Sequence, residues 1–222
     1  MTKSQGPMTN QAQSPKAQKL EKLNQVWAEK DLPLKAAATH DVPGEGNPDA
    51  DVIFVGEGPG AEEDKQGRPF VGAAGKLLTQ LIESIGWTRE DVFIANIIKH
   101  RPPGNRDPLP MEIEAYTPWL DGQLRIIEPK LLVTLGRYSM EYFLGPGLSI
   151  SKVHGQPKRK DERVIMPMYH PAAALYQGSL RPVLEADFKK ITKVLEMIQN
   201  GMDQEDQPAS AEATEGEQVS LL

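Results

Sequence analysis

Short apolar runs alternate along the chain with segments in which apolar residues recur at helical spacing. The short runs predict buried β-strands, because they are four or five residues long and largely apolar or β-branched. They are Val52–Val55, Val92–Ala95, Leu131–Leu135 and Val164–Met168. Helical spacing predicts helices over Leu20–Lys30, Ala74–Gly86, Tyr116–Ile127, Arg137–Leu144 and Val183–Asn200. Strands that alternate with helices predict an α/β protein with a parallel sheet between two layers of helices.

The two ends of the chain lack any hydrophobic period. Residues 1–18 are rich in Gln, Ser, Lys and Pro, and residues 201–222 contain six acidic residues but no Lys or Arg. Segments of this composition bury too little apolar surface to offset the entropy that is lost on ordering. We therefore predict disordered tails over 1–18 and 201–222, on either side of one domain over 19–200.

Composition excludes several classes of protein. With no cysteine among its 222 residues, the chain has no disulfide, no thiolate metal site and no catalytic thiol. No apolar run approaches the roughly 20 residues that are needed to span a bilayer. The N-terminus also lacks the apolar segment of a secretory signal. We expect a cytoplasmic monomer that does not bind membranes.

The charge distribution is compatible with a nucleic-acid substrate. The formal net charge is −6, and the C-terminal segment alone carries six acidic residues, so the rest of the chain is close to neutral. Basic residues cluster at Lys99–Arg106 and at Lys152–Arg163. DNA binding depends on local phosphate contacts, and such clusters provide them.

The stretch Asp51–Gly72 has the composition of a binding-pocket entrance. The first predicted strand leads directly into a glycine-rich turn, Gly56–Gly60, where the missing Cβ atoms let the backbone approach a ligand closely. An acidic run, Glu62–Asp64, and a loop with a single aromatic residue, Phe70, follow. Open α/β sheets bind their ligands at the carboxyl ends of strands, which is where this stretch lies.

The glycine spacing also satisfies a dinucleotide-binding fingerprint, Gly56-x-Gly58-x-x-Ala61. That fingerprint requires a helix directly after the glycines and an acidic residue at the end of the second strand. Here the sequence predicts a polar loop after the glycines, and the second strand ends at Asn96. Dinucleotide binding is therefore the less favoured interpretation.

Three of the predicted strands end at residues that suit a catalytic pocket: Glu57, Asn96 and His170. The Asn96 amide offers a donor and an acceptor side by side, which matches the edge of a uracil base, although it also suits a structural loop contact. His170 is either a structural loop residue or a donor to an oxygen that gains negative charge during reaction. Phe70 fits both a core position and a stacking platform.

Three motifs in this order resemble the family four uracil-DNA glycosylases: GEGPGAEEDKQGRPFVGAAGKLL, NIIKHRPPGNRDP and YHPAAAL. The likeness extends from about Leu34 to Ile198. It implies a three-layer α/β/α fold around a four-stranded parallel sheet, the uracil-DNA glycosylase fold. It also implies hydrolysis of the N-glycosidic bond of deoxyuridine in DNA, which leaves an abasic site.

The resemblance assigns roles to individual residues. It implies that Phe70 stacks on a flipped uracil, that Asn96 reads the uracil edge and that His170 stabilises the departing uracil anion. Glu57 matches a residue that contacts uracil or water, and Glu63 matches a second acid beside the pocket. Which of these two carboxylates orients the water is left open.

Further residues are expected to contact uracil or DNA. Gly58 matches a residue of the first motif that lines the pocket, at a position where some other glycosylases carry a water-activating Asp or Asn. The segment after His170 matches the loop that wedges into the duplex, with Leu175 as the expected wedge. Contacts to the DNA are expected from the basic loop at Lys99, Arg101, Asn105 and Arg106.

The chain departs from the family at the cofactor. The resemblance implies a four-iron, four-sulfur cluster on four cysteines, but the matching positions are Glu29, Leu32, His100 and Tyr116. Because such clusters depend on cysteine ligands, we predict no cluster and no metal. Apolar packing around Leu32 and Tyr116 is expected to fill the space.

The last five residues, Gln218–Leu222, resemble the peptide by which bacterial repair proteins dock on the sliding clamp. An acidic tether of about 20 residues would keep this peptide accessible.

Two functions other than uracil-DNA glycosylase also fit the sequence. One is a glycosylase for another deaminated base such as hypoxanthine, and the other is a DNA-damage binding module without catalysis.

Overall fold

A six-stranded mixed sheet forms the centre of the computed structural model, which describes residues 14–201. The strand order is β1-β3-β2-β4-β6-β5. The four central strands are parallel to one another. They are β2 (Val52–Gly56), β3 (Phe93–Asn96), β4 (Leu131–Leu135) and β6 (Arg163–Met168).

Two short antiparallel strands form the edges of the sheet, so the predicted sheet of four parallel strands is too small. They are β1 (Glu45–Gly46), which pairs with β3, and β5 (Lys158–Lys160), which pairs with β6. Both are only two or three residues long and contain no apolar residue. Hydrophobic patterning therefore gives no signal for either edge strand.

Helices cover both faces of the sheet. The bounds of the eight α-helices in the described residues are α1 (Pro15–Ala28), α2 (Ala61–Gln66), α3 (Ala73–Ser84), α4 (Pro110–Ile127), α5 (Arg137–Leu144), α6 (Ile150–Val153), α7 (Pro171–Tyr176) and α8 (Leu180–Gln199). Side chains of β2 alternate between two cores: Val52 and Phe54 pack with α3 and α8, whereas Ile53 and Val55 pack with α1 and α4. This alternation explains why the strand is apolar throughout.

The five predicted helices are confirmed, and at four of them one or both ends differ from the prediction by one to six residues. The first helix starts at Pro15, with Ser14 as its N-cap, so residues 15–18 are helical and not disordered as predicted. The remaining predicted tail residues, 1–13 and 202–222, lie outside the described residues, and so does the clamp-type peptide. No helix among residues 14–201 has the length and apolar character to cross a membrane.

The polar loop predicted after the glycine turn is instead the helix α2. It begins at Ala61, directly after Gly60, and ends at Gln66; the next residue, Gly67, has a left-handed φ of 64°. The Glu63 carboxylate accepts from the Gly60 N–H at 3.1 Å and so caps the helix N-terminus. Capping and acidic residues in the first turn stabilise this helix, which has no apolar period to reveal it. One argument against a dinucleotide site is therefore lost, and the argument from Asn96 remains.

Candidate active site

The carboxyl ends of the parallel strands open into a cavity of about 400 Å³. Glu57 follows β2, Asn96 ends β3 and His170 follows β6, and all three line this cavity together with Phe70. The structure thus brings together the strand-end residues that the sequence singled out. Gly58 and Glu63 also line the cavity.

Asn96 presents an unsatisfied acceptor in the cavity wall. Its side chain is buried, and its Oδ1 has no hydrogen-bond partner among residues 14–201. Buried polar atoms are nearly always hydrogen-bonded in native proteins. A Cβ on Gly56 would clash with this Oδ1 and with the Phe70 ring, so the glycine keeps both groups close to the backbone. The arrangement favours a ligand that brings an N–H to Asn96.

Phe70 and His170 place two rings side by side in the cavity. Their centroids are 5.6 Å apart and their planes differ by 28°. Phe70 has a φ of 51°, the left-handed region, which a residue with a bulky side chain rarely adopts. Such backbone strain occurs at sites where the surrounding structure dictates a side-chain position. A flat ligand beside Phe70 would therefore meet a ring of fixed orientation.

His170 is neutral and keeps its proton on Nε2. The Ala172 N–H donates to Nδ1 at 3.1 Å, so Nδ1 is an acceptor and the proton lies on the other nitrogen. Burial lowers the pKa of His170 to about 4, because a charged imidazole is poorly solvated there. Near neutral pH the ring is therefore an uncharged N–H donor.

The two carboxylates beside the cavity have different surroundings. Glu57 accepts from the Tyr138 N–H at 3.2 Å, and the Arg137 N–H also hydrogen-bonds its carboxylate. Burial raises the pKa of Glu57 to about 7, and the negative charge of Asp107 adds to this shift. Glu63 accepts from three backbone N–H groups, those of Gly60 at 3.1 Å and of the two residues after Phe70 at 2.8 Å each. Glu63 therefore holds loops together, whereas Glu57 retains acceptor capacity and a pKa suited to proton transfer.

Two residues of this site were missed by sequence reasoning. Asp107 lines the cavity and accepts from the Tyr138 hydroxyl at 2.6 Å, so Tyr138 connects Asp107 to Glu57. Asp107 was noted only as part of a motif. Tyr138 lies in the first turn of α5, where an aromatic residue fits an ordinary amphipathic helix. Only the contact between these distant residues reveals the connection.

Lys99 is wrongly predicted as a DNA contact. Its side chain is fully buried, and its Nζ donates to the Asn96 carbonyl at 2.7 Å and to Gln123 Oε1 at 2.8 Å. Burial lowers the pKa of Lys99 to about 7. This lysine therefore points into the protein and supports the backbone at the end of β3.

The remaining predicted DNA contacts lie around the cavity entrance. Asn105 and Arg106 are exposed and line the cavity, and Arg101 donates to Asn105 Oδ1 at 2.6 Å. Leu175 is half exposed near the end of α7. Beside it, Tyr176 is 93% exposed and lines the entrance. Basic and apolar side chains thus share one rim.

The positions matching the cluster ligands do not fit an iron–sulfur cluster. None is a thiolate, and His100 Nδ1 is hydrogen-bonded to the Tyr116 hydroxyl at 2.7 Å, with both side chains buried. Leu32 is buried in the adjacent core, and Glu29 is exposed. Among residues 14–201, no three His, Cys, Asp or Glu side chains are grouped as a metal site would require.

Comparisons with known proteins show which family this chain resembles. A family model described as the uracil DNA glycosylase superfamily matches residues 43–196. The type-4 uracil-DNA glycosylase of Sulfurisphaera tokodaii is 53% identical over 185 residues, covering 79% of this chain and 84% of that protein. The type-4 enzyme of Archaeoglobus fulgidus is 47% identical, covering 71% and 83%. The type-4 enzyme of Thermotoga maritima is 46% identical, covering 71% and 84%.

Proposed function

The chain belongs to the type-4 family of the uracil DNA glycosylase superfamily, and we propose that it removes uracil from DNA and leaves an abasic site. The observation that carries this proposal is the convergence of Asn96, Phe70 and His170 on one cavity. A base inside a duplex cannot reach such a cavity, so the nucleotide must be flipped out of the helix.

Asn96 provides the base recognition. The Oδ1 that has no partner among the described residues suits the N3–H of uracil, and the amide N–H₂ suits its O4. Cytosine carries an acceptor at N3 and a donor at its 4-position, so it would place like groups against the amide. Leaving a buried group unpaired costs about 1–3 kcal/mol, which discriminates against the wrong base.

His170 stabilises the leaving group. When the C1′–N1 bond breaks, both electrons leave with uracil, and the base becomes an anion with its charge shared between N1 and the carbonyl oxygens O2 and O4. The neutral His170 donates its Nε2–H to the oxygen that gains this charge. A neutral donor is suitable, because the hydrogen bond strengthens as the charge develops and no proton transfer is needed.

Glu57 orients the water and removes its proton. Loss of uracil leaves an oxocarbenium-like sugar, to which a water oxygen adds at C1′. Of the two carboxylates left open by the sequence, Glu57 is favoured, because Glu63 already accepts three backbone hydrogen bonds. Gly58 belongs to the same turn and keeps this wall of the cavity small.

The rim residues hold the DNA. Arg101, Asn105 and Arg106 contact phosphates, and Leu175 fills the space that the flipped nucleotide leaves in the duplex. Tyr176 adds an exposed ring at the same edge, where it can stack on a neighbouring base. Flipping costs a few kcal/mol, and these contacts together with stacking on Phe70 offset it.

The site of action and the partners are also part of this proposal. We place the enzyme in the cytoplasm as a monomer that acts on uracil-containing DNA without a cluster. Gln218–Leu222 docks on the sliding clamp, at the end of the acidic segment. Deletion of these five residues should abolish clamp binding in a pull-down and leave uracil excision unchanged. Unchanged clamp binding would contradict the docking role.

Uracil release from oligonucleotides tests the proposed function. We expect the purified protein to excise uracil from single- or double-stranded DNA, and Asn96→Ala to lower kcat/KM at least about tenfold because it loses base recognition. A matched oligonucleotide with hypoxanthine is the specificity control. Release of hypoxanthine alone would indicate another deaminated base, and binding without release of either base would indicate a non-catalytic module.

A further inference from the structure

The conformation of Phe70 requires an explanation outside the cavity. Its φ of 51° lies in the left-handed region, which is unfavourable for a residue with a large side chain. The ring is nonetheless buried in the cavity wall beside His170. Strain of this kind persists only where neighbouring groups over-determine the backbone.

One arginine contacts the strained backbone directly. Arg89 lies in a short turn before β3, 19 positions after Phe70. Its Nη1 donates to the Phe70 carbonyl at 3.1 Å, and its Nη2 donates to the Pro69 carbonyl at 2.7 Å. The side chain is only 15% exposed, so solvent competes little with these hydrogen bonds. Arg89 does not line the cavity.

The remaining donors of Arg89 are also used. Nε and Nη2 donate to Glu45 Oε1 at 3.0 and 2.6 Å, and Nη1 donates to Thr79 Oγ1 at 3.2 Å. The planar guanidinium has five N–H groups in a rigid fork, and this site provides an acceptor for each. Lysine has three donors on a flexible stem and cannot reproduce this pattern.

A second group holds the loop at the two residues that follow Phe70. Glu63 Oε1 accepts from the N–H groups of Val71 and Gly72 at 2.8 Å each. The backbone of Gly75 in α3 lies against the Phe70 carbonyl so closely that a Cβ there would clash. The peptide that follows Phe70 is therefore held at both of its polar groups: the Phe70 carbonyl accepts from Arg89, and the Val71 N–H donates to Glu63.

We propose that Arg89 is a positioning residue that sets the Phe70 ring at the distance and angle needed to stack on flipped uracil. This inference rests on the proposed function, since Phe70 must contact the base for its position to matter. Arg89 acts through the loop backbone and does not touch substrate. Without it, the strained conformation relaxes and the ring leaves its stacking position.

Matched arginine variants test the proposal. Arg89→Ala removes the contacts to the loop, and Arg68→Ala removes the other arginine that pairs with Glu45, at 2.7 Å, without touching the Phe70 carbonyl. For Arg89→Ala we expect about a tenfold rise in KM for uracil-containing DNA and in the inhibition constant of free uracil, with a smaller change in kcat. Arg68→Ala should stay within twofold of the wild type in all three.

A double-mutant cycle separates positioning from general stability. If Arg89 acts through Phe70, then Arg89→Ala should change KM less than twofold in a Phe70→Ala background. Arg89→Lys keeps a positive charge beside Glu45 and replaces the alanine variant in the test if that variant does not fold. It should also raise KM, because lysine lacks the planar guanidinium that donates to the loop carbonyls. The proposal would be overturned if Arg89→Ala changed KM equally with and without Phe70. It would also be overturned if Arg89→Lys had the KM of the wild type. Failure of the wild type to release uracil would instead refute the proposed function.

Discussion

Two loops face each other across the cavity, and different kinds of contact hold them. The loop around Phe70 is fastened through its backbone, since Arg89 donates to two of its carbonyls and Glu63 accepts from two of its amides. The loop over residues 101–107 is fastened through side chains. Two of these contacts, Arg101–Asn105 and Tyr138–Asp107, are exposed to solvent, and Arg106 pairs with the buried Glu112 carboxylate.

Under the proposed function, this difference separates the residues that would recognise the base from those that would contact the DNA backbone. Buried hydrogen bonds to backbone groups hold an aromatic ring in one position, which favours stacking on a base without further ordering. Exposed hydrogen bonds exchange with water and therefore contribute little net stability. They allow a loop to adjust to the path of the DNA. We infer that the base-binding side is preorganised and the DNA-binding side is adaptable.

Removing the donor that we propose stabilises the uracil anion should have the largest effect. His170→Ala eliminates the Nε2–H from the rigid side, and losing one such donor lowers kcat by roughly 10²–10³-fold. Single-turnover uracil release measures this loss. DNA affinity should change little, because the rim is untouched. A kcat within threefold of the wild type would show that His170 does not stabilise the leaving group.

The pH dependence of excision should report the ionisation of Glu57. Its pKa is raised to about 7, and the water-orienting role requires the ionised form, so kcat/KM should rise with pH up to about 7 and level off above it. His170, with a pKa of about 4, stays neutral over this range. Rates measured between pH 5 and 9 give the profile.

A matched variant identifies the group that titrates. Asp107→Asn removes a negative charge that raises the pKa of Glu57, so the midpoint should move to lower pH. Glu57→Gln should remove this rising limb and lower the plateau. If the midpoint stays near 7 in Glu57→Gln, another group controls the rate.

The base of the adaptable loop should depend on a buried hydrogen bond. Tyr116→Phe leaves His100 Nδ1 without its partner at 2.7 Å, which should lower the free energy of unfolding by about 1–3 kcal/mol. Thermal and urea unfolding measure it. Tyr142→Phe is the control, since that hydroxyl bonds Asp121 elsewhere on the same face. Inhibition by free uracil should not change in either variant; a weaker inhibition in Tyr116→Phe would mean that the two loops are coupled.

The smallest effect is expected at the exposed end of the same loop. Arg101→Ala should reduce the slope of log affinity against log salt by about 1, as for one lost phosphate contact. Stability should stay within about 0.5 kcal/mol, as for most surface substitutions. Filter binding at several salt concentrations tests this. An unchanged slope would place Arg101 outside the DNA interface.

Local patterns in the sequence predicted the central strands, the long helices and the strand-end residues of the site. Glu57, Asn96 and His170 were identified because parallel strands end at one edge of the sheet. The helix α2 and the two edge strands were missed, because capping and pairing, not apolar periodicity, stabilise them. Lys99 was misassigned because a basic cluster in sequence gives no sign of which member turns inward.

The amino-acid sequence by itself determined the architecture and the chemical groups of the site, because apolar periodicity and strand ends are local properties of the chain. Only the tertiary structure decided how those groups are held and tuned. The contacts of Arg89 with Phe70, and of Tyr138 with Asp107, span 19 and 31 positions. The raised pKa of Glu57 likewise depends on burial by distant segments. Such effects arise from distances in space that no spacing along the chain encodes.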